Sequence, residues 1–507
     1  MATQQLPHGD SAGTFLGHPK GLFMLFFAEM WERFSYYGMR ALLIFYLTKH
    51  WLYSDSEAGV IYGAYTALVY ITPVVGGYLA DRYLGQRKAV LFGAVLLTLG
   101  HFFMAFEGQA AVGHTNNPMI NVFWLALALI IVGSGFLKAN ISVMVGQLYP
   151  RTDVRRDGAY TIFYMGINLG SLLGITIVGY LGQKVGWHYG FGAAAVGMGL
   201  GLVIFRLLGQ KHLGSFGNAP KPAVSEAKSA GSNRPLLVFL AVVVGILAVL
   251  QLTHVIDLTT AQGLAQGMGA IISLIAVGYF AFLILAGGLD STEKKRVTVI
   301  FVFFLAAATY WAGNEQQGSS LQIFAERYTD LNLFGFELPS SWFQNLNPAF
   351  ILLFSPVLAS LWVFLANRRL SYPAPAKAAT SLLLLGLAYV VMVVGAKVAL
   401  TGERTSPTYL TLTYLFFTLG ELFISPVGLS LTTKLAPKRY GSQLMGIWFI
   451  GSSLGNLIAG LFAGGFDEKN VAQMPALFQG VAVFSLGAGV LLLLFTKPLK
   501  RWMGGVE

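Results

Sequence analysis

The chain has 507 residues, of which 55% are hydrophobic and 11% are charged. A soluble domain carries roughly 25% charged residues, so this composition excludes an ordinary water-soluble protein. The formal net charge of +11 comes from Lys and Arg in loops between apolar segments, which indicates membrane topology and not nucleic-acid binding. The sequence has no cysteine, which excludes disulfide and thiolate chemistry.

The apolar segments predict fourteen membrane-spanning helices, since about 20 helical residues cross a bilayer. Six segments come first, at 21–49, 58–80, 89–106, 119–149, 159–182 and 188–209. Two more follow at 235–253 and 264–287, and six come last, at 297–326, 347–366, 379–400, 408–433, 441–464 and 476–497. The middle two return the chain to the same side of the membrane, so we interpret them as an inserted hairpin with a lipid-facing structural role.

This order predicts an all-α membrane protein with the major facilitator fold, in which two six-helix bundles bind substrate near the bilayer midplane. The predicted divisions are a tail at 1–20, a first bundle at 21–209, a linker at 210–234, the hairpin at 235–287, a second bundle at 288–498 and a tail at 499–507. No cleavable signal peptide is recognisable. Lys and Arg are denser in the loops on one side, so we expect both termini to be cytoplasmic.

The loop after the second predicted span carries glycines, an aspartate and basic residues between 76 and 88. This stretch resembles the signature of the loop between helices 2 and 3 in the major facilitator superfamily. Glycines allow close helix contact, and an aspartate caps or pairs with helix ends. We expect a cytoplasmic latch formed by Gly77, Asp81, Arg82 and Arg87. The alternative is an ordinary loop that follows the positive-inside rule.

The first predicted span carries a stripe of ionisable residues, each of which costs roughly 2.5–3.5 kcal/mol inside a membrane. Glu29, Glu32 and Arg33 share one helix face through their i, i+3 and i+4 spacing. Tyr36, Tyr37 and Arg40 continue that face. Such a stripe cannot face lipid, so it is predicted to line a cavity. The alternative is a structural ion-pair cluster that holds helices together.

Three more charges lie deep in predicted spans, namely Lys138, Glu315 and Glu421. Lys138 is too far from either end of its span to reach the surface, so it needs an anionic partner, for which Glu315 is a candidate. Glu421 precedes Pro426, which permits a helix bend.

The intramembrane charges do not balance. Arg33, Arg40 and Lys138 give three positive charges, against four carboxylates at positions 29, 32, 315 and 421. One carboxylate is therefore expected to take up a proton. Cations in the first half and Glu421 in the second suit a zwitterion. The ends of a di- or tripeptide lie roughly 6–10 Å apart, but an amino acid or another zwitterion fits the same logic.

Three motifs together resemble those of the proton-dependent oligopeptide transporters. They are Glu29-x-x-Glu32-Arg33-Phe34-x-Tyr36-Tyr37 in helix 1, Phe163-Tyr164-Met165-Gly166-Ile167-Asn168-Leu169-Gly170 in helix 5, and Gly420-Glu421-Leu422-Phe423-Ile424-Ser425-Pro426 in helix 10. The resemblance extends from about residue 20 to about residue 500 and includes the hairpin, which is similar to that of bacterial members.

The resemblance implies a carrier that takes di- and tripeptides into the cell together with protons. It assigns proton coupling to Glu29, Glu32, Arg33, Lys138 and Glu315. It assigns the peptide carboxylate to Arg33, Arg40 and Lys138, with Glu315 as partner of Lys138, and the amino terminus to Asn347 and Glu421. Residues implied to line side-chain pockets are Tyr36, Tyr37, Tyr70, Asn168, Trp311, Trp448 and Ser452. The alternative for Tyr70, Trp311 and Trp448 is ordinary helix packing.

One departure indicates a bacterial type, because Gly63 stands where animal members carry a histidine that handles protons. This departure places the proton role on carboxylates and favours the bacterial inner membrane. We also expect a monomer with no cofactor. No metal-ligand set or nucleophile–base pair is recognisable, so we expect no enzyme activity. Two alternatives remain: a carrier of another solute, such as nitrate, an amino acid or a drug, and a peptide sensor that has lost transport.

Overall fold

The computed structural model describes residues 14–106, 108, 117–150, 153, 155–214, 216–218, 249, 251–253, 261–333, 335–368, 370, 372–437, 440–465 and 472–505. Helices make up most of this part of the chain. The strands are two-residue pieces in two antiparallel pairs, β1 (Thr14–Phe15) with β2 (His18–Pro19), and β3 (Asn332–Leu333) with β4 (Phe336–Glu337).

Six long helices precede the predicted linker. They are α1 (Lys20–Phe45), α2 (Asp55–Leu79), α3 (Gln86–Met104), α4 (Ile120–Gln147), α5 (Arg155–Tyr180) and α6 (Trp187–Leu213). Single π-helical turns extend α1, α2 and α5 over Tyr46–His50, Ala80–Leu84 and Leu181–Val185. Gly85, with a φ of 75°, allows the sharp turn from α2 into α3, because only glycine adopts this conformation without strain.

The second set of helices is less regular. It comprises α7 (Ala261–Ala286), α8 (Ser291–Asn314), a 3-10 turn (Glu315–Gly318), α9 (Ser320–Tyr328), a second 3-10 turn (Ser340–Asn345), α10 (Leu346–Asn367), α11 (Ala374–Ala399), α12 (Pro407–Leu435), α13 (Gly441–Ala463), α14 (Met474–Leu494) and α15 (Thr496–Met503). The start of α8 is fixed by a capping box, in which Asp290 accepts from the Thr292 and Glu293 amides and the Glu293 side chain accepts in return.

Twelve helices in the described part are long and apolar enough to cross a membrane, which confirms the predicted all-α membrane fold. α1 is not among the twelve; its 26 residues include Lys20, Glu29, Glu32, Arg33 and Arg40. The predicted first helix of the hairpin, 235–253, lies almost entirely outside the described residues. The predicted span at 297–326 lies within the candidate span Ser291–Tyr328, which is one of the twelve. A 3-10 turn inside this span separates α8 from α9.

The chain divides into two compact units. The first holds the described residues of Met1–Leu42, Thr72–Gly108 and Pro118–Pro222, and the second those of Leu43–Ile71, Gln109–Asn117 and Ala223–Glu507. The end of α1 and most of α2 thus belong to the second unit. The predicted domain boundaries stay predictions.

Close helix packing in each unit depends on small residues. In the first unit, a Cβ on Gly93 of α3 would lie 2.6 Å from the Gly133 carbonyl of α4, and one on Gly133 would lie 2.8 Å from the Gly93 carbonyl. In the second unit, a Cβ on Gly386 of α11 would lie 2.5 Å from Leu486 of α14. Backbones approach this closely in membranes because packing, not water exclusion, holds the helices together.

Candidate functional site

The carboxylate cluster on α1 lies in the first unit. Glu29 and Glu32 are fully buried. The guanidinium of Arg33 reaches both of them, with Nη2 at 2.7 Å from Glu29 Oε1 and Nε at 3.1 Å from Glu32 Oε2. This contact follows from the local spacing on one helix face. One cation therefore holds two buried carboxylates, so the gain or loss of a single proton changes the balance of the cluster.

The α5 motif supports this cluster by letting α5 approach α1. A Cβ on Gly170 would lie 2.1 Å from the Met30 carbonyl and 3.0 Å from the Arg33 Cβ. One turn later, a Cβ on Gly174 would lie 2.2 Å from the Phe34 carbonyl. Larger residues at these positions would push α5 off the backbone that carries Arg33. Close packing against α1 therefore explains why the helix 5 motif ends in a glycine, Gly170.

Two further cations of the first unit lie over aromatic rings. Lys138 Nζ on α4 is 3.7 Å from the ring centre of Tyr36, and it is within electrostatic reach of Glu29 and Glu32. The buried Arg40 has its Cζ 5.7 Å from the ring centre of Tyr37. Aromatic faces attract cations most strongly where water is excluded.

The first unit therefore gathers five of the predicted ionisable site residues around two tyrosines. With all of them ionised, three cations and two carboxylates leave one net positive charge. This group is suited to an anionic ligand group.

In the second unit, Asn347 and Glu421 are in contact. The Asn347 amide donates to Glu421 Oε2 at 3.1 Å and to Thr418 Oγ1 at 3.2 Å. Asn347 lies in the first turn of α10, directly after the 3-10 turn. Helix N-termini at such discontinuities carry partial positive charge and are common elements of transporter sites. The Asn347 amide thus fixes one oxygen of the Glu421 carboxylate by a hydrogen bond.

Glu315 occupies the break between α8 and α9 in the same unit. It opens the 3-10 turn Glu315–Gly318, and it is 3% exposed. Asn314, Gln316 and Gln317 beside it are also buried. Glu315 was predicted from the sequence as a site residue, whereas the break was not predicted. The break could have been recognised in the sequence from a run of four polar residues, 314–317, between Gly313 and Gly318.

The predicted pocket residues differ in their surroundings. Trp448 is 5% exposed, and its ring covers Gly428 of α12, where a Cβ would lie 1.9 Å from Cη2. Trp311 packs its Cβ against Gly455 of α13. The Asn168 amide donates to the Tyr164 carbonyl of its own helix at 3.0 Å. Tyr70 is half-buried and Ser452 is 9% exposed. Trp311 and Trp448 thus have packing roles, whatever else they contact.

The predicted latch residues lie near the start of α3, in the first unit. Asp81 Oδ1 accepts from Gln86 Nε2 at 2.7 Å. Arg87 Nη1 donates to the Gly214 carbonyl at 3.2 Å, which joins α3 to the end of α6. The close contact between α2 and α4 is at Gly76, where a Cβ would lie 2.2 Å from the Gly135 carbonyl. A Cβ on Gly77 would make only an ordinary van der Waals contact. The Arg82 side chain lies outside the described part, and the latch role stays a prediction.

Not all predicted contacts lie within one unit. Lys138 belongs to the first unit and Glu315 to the second, so their pairing stays a prediction. The second unit also contains an ion pair that was not predicted from the sequence, between Asp55 and Arg327. Among the described residues, no group of three or more His, Cys, Asp or Glu side chains is arranged to hold a metal ion.

Comparison with known proteins gives a family match over most of the chain. The model of the POT family matches residues 87–478. The "Uncharacterized transporter YclF" of Bacillus subtilis (strain 168) is 41% identical over 501 residues, covering 97% of this chain and 96% of the relative. A "Di-/tripeptide transporter" of Lactococcus lactis subsp. cremoris is 35% identical over 507 residues, covering 97% and 98%.

Solved structures agree with this match. The crystal structure of a peptide transporter POT in complex with sulfate has a TM-score of 0.85 and 37% identity, with 97% of this chain and 98% of that chain covered. A POT family transporter in complex with 5-aminolevulinic acid has a TM-score of 0.82 and 32% identity, with 96% and 98% covered. The three motifs, the predicted fold and these matches agree, and the chain belongs to the POT family.

Proposed function

We propose that this chain takes up di- and tripeptides together with protons by alternating access. The observation that carries the proposal is the opposite charge of the two groups of site residues. The group in the first unit has three cations and two carboxylates, while Glu315 and Glu421 lie in the second unit. A zwitterionic peptide presents one charge of each sign, so the two groups match its two ends.

The peptide carboxylate binds the cations of the first unit. Arg33, Arg40 and Lys138 are buried or nearly so, and charge-assisted hydrogen bonds in such surroundings are strong. Lys138 and Arg40 lie over tyrosine rings, and a cation over a ring face still attracts an anion. The peptide ammonium binds Glu421, with Asn347 orienting the carboxylate.

Proton coupling follows from the shared guanidinium of Arg33. Buried Glu29 and Glu32 both pair with the Arg33 guanidinium. Protonation of one carboxylate removes its ion pair and so weakens the attachment of Arg33 to the cluster. The released guanidinium then binds the peptide carboxylate. The predicted pairing of Glu315 with Lys138 would work in the same way, with protonation of Glu315 releasing Lys138 for the peptide carboxylate. The carrier must bind peptide more tightly in its protonated state, since a ligand shifts an equilibrium only by its differential affinity.

The family match and the named relatives support the substrate class. Relatives at 35% identity are named "Peptide transporter YePEPT", from Yersinia enterocolitica, and "Di-/tripeptide transporter", from Lactococcus lactis. We also propose that the protein is a monomer in the bacterial inner membrane with both termini cytoplasmic. It needs no cofactor other than the coupling proton and has no enzyme activity. The excess of Lys and Arg in one set of loops supports the orientation.

The test is uptake of labelled dialanine into proteoliposomes, with and without an inward proton gradient and an inside-negative potential. We expect accumulation only with the gradient, blocked by unlabelled di- and tripeptides and not by free amino acids. Glu32→Gln should abolish accumulation, because the glutamine cannot exchange a proton. Accumulation that survives intact in this variant would remove Glu32 from the coupling scheme.

The competitors decide between peptide and the other solutes. Nitrate, free amino acids and 5-aminolevulinic acid, the ligand in the complex of the related transporter, serve as unlabelled competitors. Stronger competition by any of these than by dialanine would change the substrate class. Binding of dialanine without exchange or uptake, in a folded preparation, would instead indicate a sensor.

A further inference from the structure

The break between α8 and α9 is held by two tyrosines from neighbouring helices of the second unit. Tyr389 of α11 donates its phenol proton to the Gly313 carbonyl at 2.7 Å. Tyr414 of α12 donates to the Gln317 carbonyl at 3.2 Å. Both tyrosines are fully buried, at 0% and 1% exposure. The two acceptors lie on either side of Glu315.

In a continuous helix, both of these carbonyls would accept hydrogen bonds from backbone amides of the same helix. In an α-helix the Gly313 carbonyl accepts from the amide of residue 317, and the Gln317 carbonyl from that of residue 321. The 3-10 turn has i to i+3 bonds, such as the Ser319 amide to the Gln316 carbonyl at 3.1 Å. The Gly313 carbonyl also accepts from the Glu315 amide, and each phenol adds a donor to its carbonyl. A poorly satisfied buried carbonyl is costly, so these added bonds stabilise the broken form over the continuous helix.

The broken and continuous forms would place the residues of α9 in clearly different positions. Four residues at 3.0 rather than 3.6 per turn rotate α9 against α8 by roughly 80° and lengthen the path by about 2 Å. α9 carries Glu326 and Arg327, which pair with Lys49 and Asp55 at its far end. Gly318 leaves room for Tyr62, since a Cβ there would lie 1.7 Å from the Tyr62 hydroxyl. Converting the break into a helix would disturb all of these contacts.

We propose that Tyr389 and Tyr414 are positioning residues that hold the 313–318 break open and thereby fix where the Glu315 carboxylate lies. Neither tyrosine is expected to touch the peptide. Their effect on transport rests on the proposed role of Glu315 in proton coupling. Removal of the two hydroxyls lets the segment move toward a continuous helix, so Glu315 is placed correctly for a smaller fraction of the time.

The test uses Tyr389→Phe, Tyr414→Phe and the double variant, each of which keeps the ring. The matched control is Tyr440→Phe, which removes a phenol-to-carbonyl bond to Gly287 at 3.1 Å, away from the break.

Gradient-driven dialanine uptake and dialanine exchange without a gradient are measured on the same proteoliposomes. Each lost bond shifts the local equilibrium roughly fivefold, so we expect gradient-driven uptake to fall about tenfold or more in the double variant. Exchange, which needs no net proton movement, should fall less than about twofold, and the control should keep both.

A second measurement reports the break itself, independently of transport. Hydrogen–deuterium exchange of the peptide covering 313–321 should be faster in the double variant than in the wild type and the control, because the segment changes form more often. Equal deuterium uptake in all three proteins overturns the proposal. A parallel loss of uptake and exchange also overturns it, since that would be a general structural defect. If the wild type itself fails to accumulate dialanine, the proposed function is wrong, and the deuterium measurement alone decides whether the tyrosines hold the break.

Discussion

Asp55, the first residue of α2, and Arg327, near the end of α9, form a two-point ion pair. The Nη1–Oδ2 distance is 2.5 Å and the Nη2–Oδ1 distance is 2.9 Å. The Asp55 side chain is 2% exposed and the Arg327 side chain 29%. Both residues belong to the second unit, in which the pair ties α2 to the helix that follows the Glu315 break.

Asp55→Asn is expected to destabilise the protein. It leaves the Arg327 guanidinium without its carboxylate. Breaking a fully buried pair costs about 3–5 kcal/mol, and the partial exposure of Arg327 reduces this to about 1–3 kcal/mol. Thermal unfolding in detergent should show a Tm lower by a few degrees. The charge-swapped double variant, Asp55→Arg with Arg327→Asp, should recover about half of the loss.

The matched control is Asp153→Asn, which breaks another Asp–Arg pair, with Arg155, at 2.8 Å. Its members are two residues apart near the start of α5, and water screens their interaction. We expect no measurable change in Tm. An equal loss in the two variants would show that the Asp55 pair contributes no more than an ordinary surface contact.

The ring of Tyr36 should matter more than its hydroxyl, because Lys138 Nζ lies over the ring face. A desolvated cation–π contact contributes about 2 kcal/mol, which is roughly 30-fold in an equilibrium. Tyr36→Leu should therefore lower the initial rate of gradient-driven uptake by about tenfold or more. Tyr36→Phe should stay within about threefold of the wild type. Tyr189→Leu, at an exposed tyrosine, serves as the control; similar losses in the Leu and Phe variants at 36 would assign the effect to the hydroxyl.

Glu421→Gln should weaken binding of peptides that have a free amino terminus. Hydrogen bonds to charged groups contribute about 1.5–3 kcal/mol, so KM for dialanine should rise about tenfold or more. N-acetyl-dialanine lacks the ammonium, and its inhibition constant should change less than about threefold. The exposed Glu403→Gln provides a control. Equal effects on the two peptides would place the amino terminus elsewhere.

The crossing of α2 and α13 should not tolerate a methyl group. A Cβ on Gly460 would lie 2.5 Å from the Gly63 Cα, and one on Gly63 would lie 2.4 Å from the Gly460 Cα. Neither backbone atom has room to move, so Gly460→Ala should lower Tm by several degrees and reduce uptake.

Gly446→Ala in the same helix is the matched control for this crossing. Its Cβ would meet nothing within 4 Å, and alanine favours a helix over glycine by about 1 kcal/mol. We expect an unchanged or higher Tm. A loss of stability at both positions would point to a general sensitivity of α13 rather than to the crossing.

Local spacing explains which site contacts could be predicted. Glu29, Glu32 and Arg33 meet because positions three and four apart share a helix face, and this requires no knowledge of the other helices. The Asn347–Glu421 contact joins residues 74 positions apart. The family resemblance implied only that both residues bind the amino terminus of the peptide. The contact between them could not be predicted, because no rule of spacing relates one helix to another. The Glu315 break was missed because its carbonyls are satisfied by tyrosines 76 and 97 positions away.

The sequence by itself determined the membrane class, the order of the apolar helices, the α1 charge cluster and, through its motifs, the family. These depend on hydrophobicity and on periodicity within one helix, both of which are local properties of the chain. Only the tertiary structure decided that α8 and α9 are separate, that Tyr389 and Tyr414 hold the break, that Asp55 meets Arg327, and that Gly76 rather than Gly77 bears the close contact. Each of these depends on which groups distant helices bring together, because a buried polar group takes its partner from whatever packs against it.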